Sequence, residues 1–221
     1  MAARNSVKTY VPGSYYHIYN RGVAKNEIFL NSFDYSTFLS YIKIYLTPKD
    51  TIGLNAILHS QEAGYKEKYD AERLLALKNF NEEIQLLAYA LMPNHFHLLI
   101  WQKEANSIDN FMNSLGTRYS CYFNRKNHRV GTIFQGVYKA VLVESEEQLL
   151  HLSRYIHLNP GLKSTLPTSL PEYLGIRKTS WIKTDHILPY FSRTNTNLDY
   201  ANFVKNYADL EPIAPFTLDL F

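Results

Sequence analysis

An α+β fold, a ferredoxin-like antiparallel sheet with helices packed mainly on one face, is what the pattern of this chain predicts, and three observations carry it. The almost wholly apolar run Ile84–Leu91 breaks at Met92-Pro93-Asn94 and is followed by His95–Trp101, the pattern of a buried hairpin. Apolar residues at helical spacing follow the first strand candidate and recur after the hairpin. The resulting order of strand, helix, insertion, hairpin, helix, strand and helix suits helices laid on an antiparallel sheet.

Taken in order, Tyr15–Tyr19 is rich in β-formers and is closed by Asn20-Arg21-Gly22, a turn signal. Phe33, Phe38, Tyr41, Ile42 and Tyr45 fall on one helical stripe. Residues 47–82 are polar and irregular, with one short helix expected around Ala71–Lys78, and have too few large apolar side chains for a core of their own. After the hairpin, Ser107 is the expected N-cap of a helix whose stripe is Ile108, Phe111, Met112, Leu115, Tyr119 and Tyr122. Lys139–Val143 is a further strand candidate. Ser145 and Gln148 form a capping box for a helix running to about His157, stopped by Asn159-Pro160-Gly161. Beyond residue 161, Leu188, Tyr190, Phe191, Phe203, Val204 and Tyr207 imply a small C-terminal helical extension, with Trp181 and Phe191 as its expected anchors. The expected division is a catalytic domain at 10–160, carrying the 47–82 insertion, and a C-terminal extension at 161–221.

Bulk properties bound the function. Hydrophobic residues make up 46% of 221 residues and charged residues 19%, a globular composition. With no apolar run long enough to span a bilayer, no signal-peptide pattern and Cys121 as the single cysteine, a cytoplasmic setting without membrane association is expected. The net charge of +3 permits a nucleic-acid partner, and its distribution favours one. Between Lys103 and Lys139 lie Arg118, Arg125, Lys126 and Arg129, interleaved with Tyr119, Tyr122, Phe123 and Tyr138 and opposed only by Glu104 and Asp109. Bases of that kind neutralise phosphates, and the aromatic faces between them can stack on unpaired nucleobases. Arg21 and Lys25, just after the first strand, and Lys139 join Arg118, Arg125, Lys126 and Arg129 as candidate DNA contacts.

The chemistry concentrates in two short stretches. In a strand, His95 and His97 emerge on one face and Phe96 on the other, so two imidazoles can share one metal ion. On a helix, Tyr155 and Asn159 are one turn apart on the same face, so the Asn159 amide oxygen can complete a site of two imidazoles and one oxygen beside Tyr155. A phenol with a pKa of about 10 is a weak nucleophile at neutral pH, and a metal-bound phosphate is the electrophile that makes its attack feasible. Tyr119, Tyr122 and Tyr138 are rival nucleophiles, although Tyr119 and Tyr122 also fit the buried stripe of their helix. His17 reads as a hydrogen-bonded core histidine. No Walker loop, paired CxxC or GxSxG elbow is present.

YHIYNRG (16–22), DYSTFL (34–39), LLAYALMPNHFHLLI (86–100), TRYSCYFNRKNHRVGTIFQGVYKA (117–140) and RYIHLNP (154–160) resemble the tyrosine transposases of the insertion-sequence-200-like group. The resemblance is nearest to the members associated with repetitive extragenic palindromes (REP), whose C-terminal extension is matched by EYLGIRKTSWI (172–182), and it spans roughly residues 10–207. It implies the histidine–hydrophobe–histidine (HUH) endonuclease fold and a Mg²⁺ or Mn²⁺ cofactor. His95 and His97 are then metal ligands, Asn159 the third ligand and Tyr155 the nucleophile. Many members of the wider group carry glutamine where this chain has Asn159. The implied partner is single-stranded DNA with a hairpin or palindrome, cut to leave a 5′-phosphotyrosine link and a free 3′-hydroxyl, and the implied setting is the bacterial cytoplasm, with the protein on the nucleoid when bound to DNA. Two other readings stay open: a descendant that grips a DNA or RNA hairpin without cutting it, and a metal-dependent hydrolase of small phosphoesters.

Overall fold

The computed structural model describes residues 10–191, 194 and 196–206. Four strands, β1 (Tyr15–Arg21), β2 (Ile84–Met92), β3 (His95–Gln102) and β4 (Lys139–Val143), form one sheet in the order β2-β3-β1-β4. Every neighbouring pair is antiparallel. β1 and β2 therefore run the same way with β3 between them, the split arrangement of a ferredoxin-like sheet.

The helices α1 (Ser32–Leu46) and α4 (Ser107–Lys126) cover one face of this sheet. Asn31 caps α1 by accepting from the Phe33 and Asp34 amides at 3.1 and 3.3 Å. Phe38, Ile42 and Tyr45 of α1 meet Ile108, Phe111, Leu115 and Tyr119 of α4 over Ile18, Leu98 and Ile100 of the sheet. The α4 cap lies one residue earlier than expected, at Asn106, and Ser107 is the first helical residue, its hydroxyl donating to Glu83 at 3.1 Å.

The expected single helix at 71–78 is instead a pair, α2 (Thr51–His59) and α3 (Tyr65–Ala76). Local capping explains both starts: Asp50 accepts from Gly53 N at 2.8 Å, and Glu67 reaches back to Gly64 N at 2.8 Å. Neither cap depends on an apolar stripe, which is why periodicity passed over α2 and most of α3.

The opposite face is covered by α5 (Glu146–Leu158) and the segment after it, which includes α6 (Leu170–Tyr173) and α7 (Thr196–Lys205). Ser145 caps α5 through Gln148 N at 3.1 Å, while the Gln148 side chain reaches past it to Glu144 N at 2.9 Å. Residues 167–183 run along the outer edge of β2, with Leu91 N on Pro167 O at 3.0 Å and Lys183 N on Leu86 O at 2.9 Å. An apolar edge strand left open invites pairing with other chains, and this segment occupies it. Trp181 stacks on Tyr89 at 6.0 Å between ring centroids, and Phe191 packs on Tyr200 at 5.2 Å, as expected of anchors. Tyr207, one of the apolar residues expected to build the extension, and the rest of that extension to residue 221 lie outside the described residues.

Alternation lets β2 serve both cores, and the register shift between Leu86 and Ala88 puts two successive residues on one side: Leu86, Tyr89 and Leu91 face α1 and α4, while Leu87, Ala88 and Ala90 face α5.

Candidate active site

Strand alternation decides where the histidines point. His95 and His97 share the α5 face of β3, whereas Phe96, 2% exposed, is buried against α1 and α4. Their rings lie 5.1 Å apart between centroids. Across the sheet, His97 pairs with Tyr19 and His95 with Arg21, which sets the pair at the end of the sheet where β1 finishes and β3 begins.

The turn around β1 positions His95. Gly22 has no room for a side chain, because a Cβ there would fall 1.9 Å from the Asn26 carbonyl oxygen. Ala24 and Lys25 follow in the left-handed region, at φ 54° and 61°, and the Lys25 carbonyl accepts from Asn94 Nδ2 at 3.2 Å. That bond orients the Asn94 amide so that its Oδ1 meets His95 Nδ1 at 2.7 Å. Nδ1 of a neutral His95 ring therefore carries the proton and Nε2 keeps its lone pair. Asn159 Oδ1 faces that Nε2 at 3.3 Å, and Asn159 Nδ2 lies 3.4 Å from the Tyr155 hydroxyl. Two acceptors then face each other, an arrangement that a shared cation relieves.

His97 is fully buried, and its Nδ1 lies 2.8 Å from His17 Nε2 on β1. Its Nε2 is buried with no hydrogen-bond partner. Burial, reinforced by the neighbouring His17 and His95, holds the His97 pKa well below the ordinary imidazole value, so the ring is neutral and can offer that nitrogen as a ligand. Among the described residues no group of three or more His, Cys, Asp or Glu side chains is arranged to hold a metal ion, so a cation here relies on the amide oxygen as its third donor. The donor set fits one: two imidazole nitrogens with lone pairs and a facing amide oxygen.

Tyr155 and Asn159 lie one turn apart at the end of α5, with Asn159 as its C-cap and its N–H on Tyr155 O at 2.9 Å. The Tyr155 ring is edge-on to His97 at 5.6 Å and to His17 at 6.3 Å. Between them in sequence, His157 turns the other way and is fixed from two sides, by Tyr200 Oη at 2.7 Å and Ser169 Oγ at 2.8 Å. Burial pushes its pKa down to about 3, so it is a neutral strut rather than a proton carrier.

The rival tyrosines are held in the other core. Tyr119 donates to Ile28 O at 2.6 Å and Tyr122 to Asp34 at 2.8 Å, while Tyr138 bonds Tyr10 and Asp109. Desolvation drives the Tyr119 and Tyr138 hydroxyls far above the usual phenol range.

The basic residues separate into groups. Arg21 and Lys139 sit at the histidine end of the sheet, Arg21 bonding Gln135 at 2.6 Å, and Lys25 holds Asn94 through its carbonyl. Arg129 donates to Thr132 O at 3.1 Å. Arg118, Arg125 and Lys126, all on α4, gather on the far side of the sheet. Two supporting residues escaped sequence reasoning. Asn94 passed as part of a turn, although its place beside His95 was a usable signal. His17 passed as ordinary core, and only the strand register brings it to His97.

Residues 66–159 match the family model described as "Transposase IS200 like". A solved REP-associated tyrosine transposase bound to a REP hairpin superimposes with a TM-score of 0.50 at 10% identity, covering 82% of this chain and 98% of that one. That likeness is one of fold. A candidate transposase from Deinococcus radiodurans R1 is 17% identical over 71% of this chain and 96% of that one, with a TM-score of 0.28. Among curated proteins no match was found. The resemblance to the IS200-like tyrosine transposases stands on the family match and the shared fold.

Proposed function

We propose that this chain, IS200-like in sequence over residues 66–159, is a metal-dependent endonuclease and strand transferase acting on single-stranded DNA beside hairpins. The observation that carries the reading is the convergence of His95 Nε2 on Asn159 Oδ1 at 3.3 Å, with the Asn159 amide nitrogen 3.4 Å from the Tyr155 hydroxyl. The unpartnered His97 Nε2 supports it.

His95, His97 and Asn159 would hold a Mg²⁺ or Mn²⁺ ion. Bound there, the ion would draw charge from a phosphodiester oxygen and make its phosphorus more electrophilic. Asn94 and His17 each engage the Nδ1 of one ligand histidine and leave its Nε2 for coordination. Tyr155 Oη bonds to phosphorus as its proton departs, and the bond from phosphorus to the 3′-oxygen breaks. That oxygen takes up a proton and leaves as a 3′-hydroxyl, while the 5′-side phosphate stays on Tyr155. One phosphoester replaces another, so the link can be reversed by a second 3′-hydroxyl without a nucleotide cofactor.

The hairpin partner rests on the REP hairpin bound by the structurally similar transposase and on the basic, aromatic surface of this chain. A 10–160 catalytic domain carrying the 47–82 insertion, with a 161–221 extension, is part of the same proposal. The test is incubation with labelled single-stranded oligonucleotides carrying palindromes from beside its own gene, with Mn²⁺ or Mg²⁺, read on a denaturing gel. A covalent adduct, lost with chelator and in Tyr155→Phe, is expected. Hairpin-dependent binding with neither cleavage nor adduct under either metal would replace this reading with that of a silent hairpin binder.

A further inference from the structure

On the far side of the sheet from His95 and His97, α1, α3 and α4 enclose a notch of about 450 Å³. Its lining includes Arg73, Arg118, Arg125 and Lys126 as cations, with Tyr41 and Tyr122 as aromatic walls. Nearby negative charge is largely engaged. Asp34 is fully buried and already receives Lys126 Nζ at 2.5 Å, Tyr122 Oη at 2.8 Å and Leu30 N at 2.9 Å. Asp70 faces Arg73 at 3.9 Å, but both side chains are more than half exposed and such a pair is weak.

Arg118 is the telling residue. Its guanidinium stacks over the Tyr41 ring at 4.0 Å from the centroid, which fixes the plane of the group. Its Nη1 is nevertheless buried and lacks a hydrogen-bond partner. Buried donors of this kind are normally satisfied, and an unpaired one at the wall of a basic notch is suited to an anion once a small side-chain shift uncovers it. Arg125, exposed two helical turns along α4, has no side-chain hydrogen bond or ion pair among the described residues and presents its donors beside the same opening.

We propose that this notch is a phosphate-binding site that grips the nucleic-acid backbone away from the histidine end of the sheet. The proposal rests on the nucleic-acid part of the reading above, not on the tyrosine chemistry. Arg118 supplies a pre-oriented fork, Arg125 and Arg73 the flanking charge, and the aromatic walls keep the Arg118 plane in place. Arg73 comes from the 47–82 insertion, which acquires a role in holding the partner. A strand engaged at both faces must be longer than the few nucleotides that fit beside Tyr155, as a hairpin with its flank is.

The experiment uses the full chain with chelator present, so that no cleavage intervenes, and fluorescence anisotropy of a labelled hairpin oligonucleotide over a salt series. Arg118→Gln/Arg125→Gln is expected to weaken hairpin binding by at least about tenfold and to make the log–log salt slope shallower by about 2, near 0.9 per lost phosphate contact. Arg73→Gln/Arg125→Gln changes only exposed side chains, so its fold is secure, and by the same count it is expected to make the slope shallower by about 2. Wild-type affinity and slope in both variants would overturn the proposal. So would saturable binding of inorganic phosphate that the first variant loses while its hairpin affinity stays unchanged, since that marks a site for small phosphates. Adduct formation by the wild type is scored in parallel. Notch-dependent binding without an adduct sinks the nuclease reading alone, and an adduct with notch-independent binding sinks this inference alone.

Discussion

The two faces of the sheet are made by the same strands and differ in what they gather beside the sheet. On the α1–α4 face, tyrosine hydroxyls are drawn into bonds with carbonyls and carboxylates, and Phe38, Phe96 and Phe111 fill the space between. On the α5 face at the β1–β3 end, three histidines crowd together and His97 Nε2 is buried without a hydrogen-bond partner. Unsatisfied polar atoms carry a penalty of about 1–3 kcal/mol each, so a fold that keeps one in a polar cluster has a use for it. Tyr119, Tyr122 and Tyr138 on the first face are therefore structural, as are Tyr173 and Tyr200 behind α5, and Tyr155 is the tyrosine placed beside the histidines.

The largest effect that would break this contrast is Tyr155→Phe. It is expected to abolish the covalent adduct on a denaturing gel while the urea midpoint stays near wild type, and an adduct surviving in that variant would transfer the chemistry to another tyrosine. Phe96→Ala, on the sealed face between the two histidines, is expected to cost about 3–5 kcal/mol in urea unfolding. A cost under 1 kcal/mol would mean that face is not the close-packed one. Asn94→Ala should leave stability nearly unchanged and weaken Mn²⁺ binding by about 10–100-fold in calorimetry, the usual effect of losing the group that orients a ligand histidine.

A smaller effect concerns pH. Burial alone would raise the Asp34 pKa, but bonds from Lys126, the Leu30 amide and Tyr122 outweigh it and hold the carboxyl below its ordinary value. The unfolded chain therefore binds the proton first. The stability Asp34 contributes is present above about pH 4 and is lost as pH falls through the lower folded value. Urea midpoints should drop across that range in the wild type and drop less in Asp34→Asn. Smallest of all, Tyr119→Phe should cost about 1 kcal/mol, leaving the Ile28 carbonyl without its donor, with no loss of adduct.

Much of this was legible in the chain itself. The hairpin, the α4 stripe and the α5 cap follow from periods of 2 and 3.6 and from local capping chemistry, which neighbouring residues alone decide. Phe96 between His95 and His97 marks their common face, and the spacing of Tyr155 and Asn159 marks theirs. α2 and most of α3 were missed because glycine- and aspartate-led starts carry no apolar stripe.

What the sequence by itself determined is the set of elements and the side of each element on which a residue lies, because those depend on backbone periodicity. Only the tertiary structure decided which sides meet. Antiparallel register put His17 against His97, packing of α5 brought Asn159 to His95, and α1, α3 and α4 closed around Arg118. Residues far apart in the chain are joined by long-range pairing that no local pattern encodes, so the company each side chain keeps appears only in the folded chain.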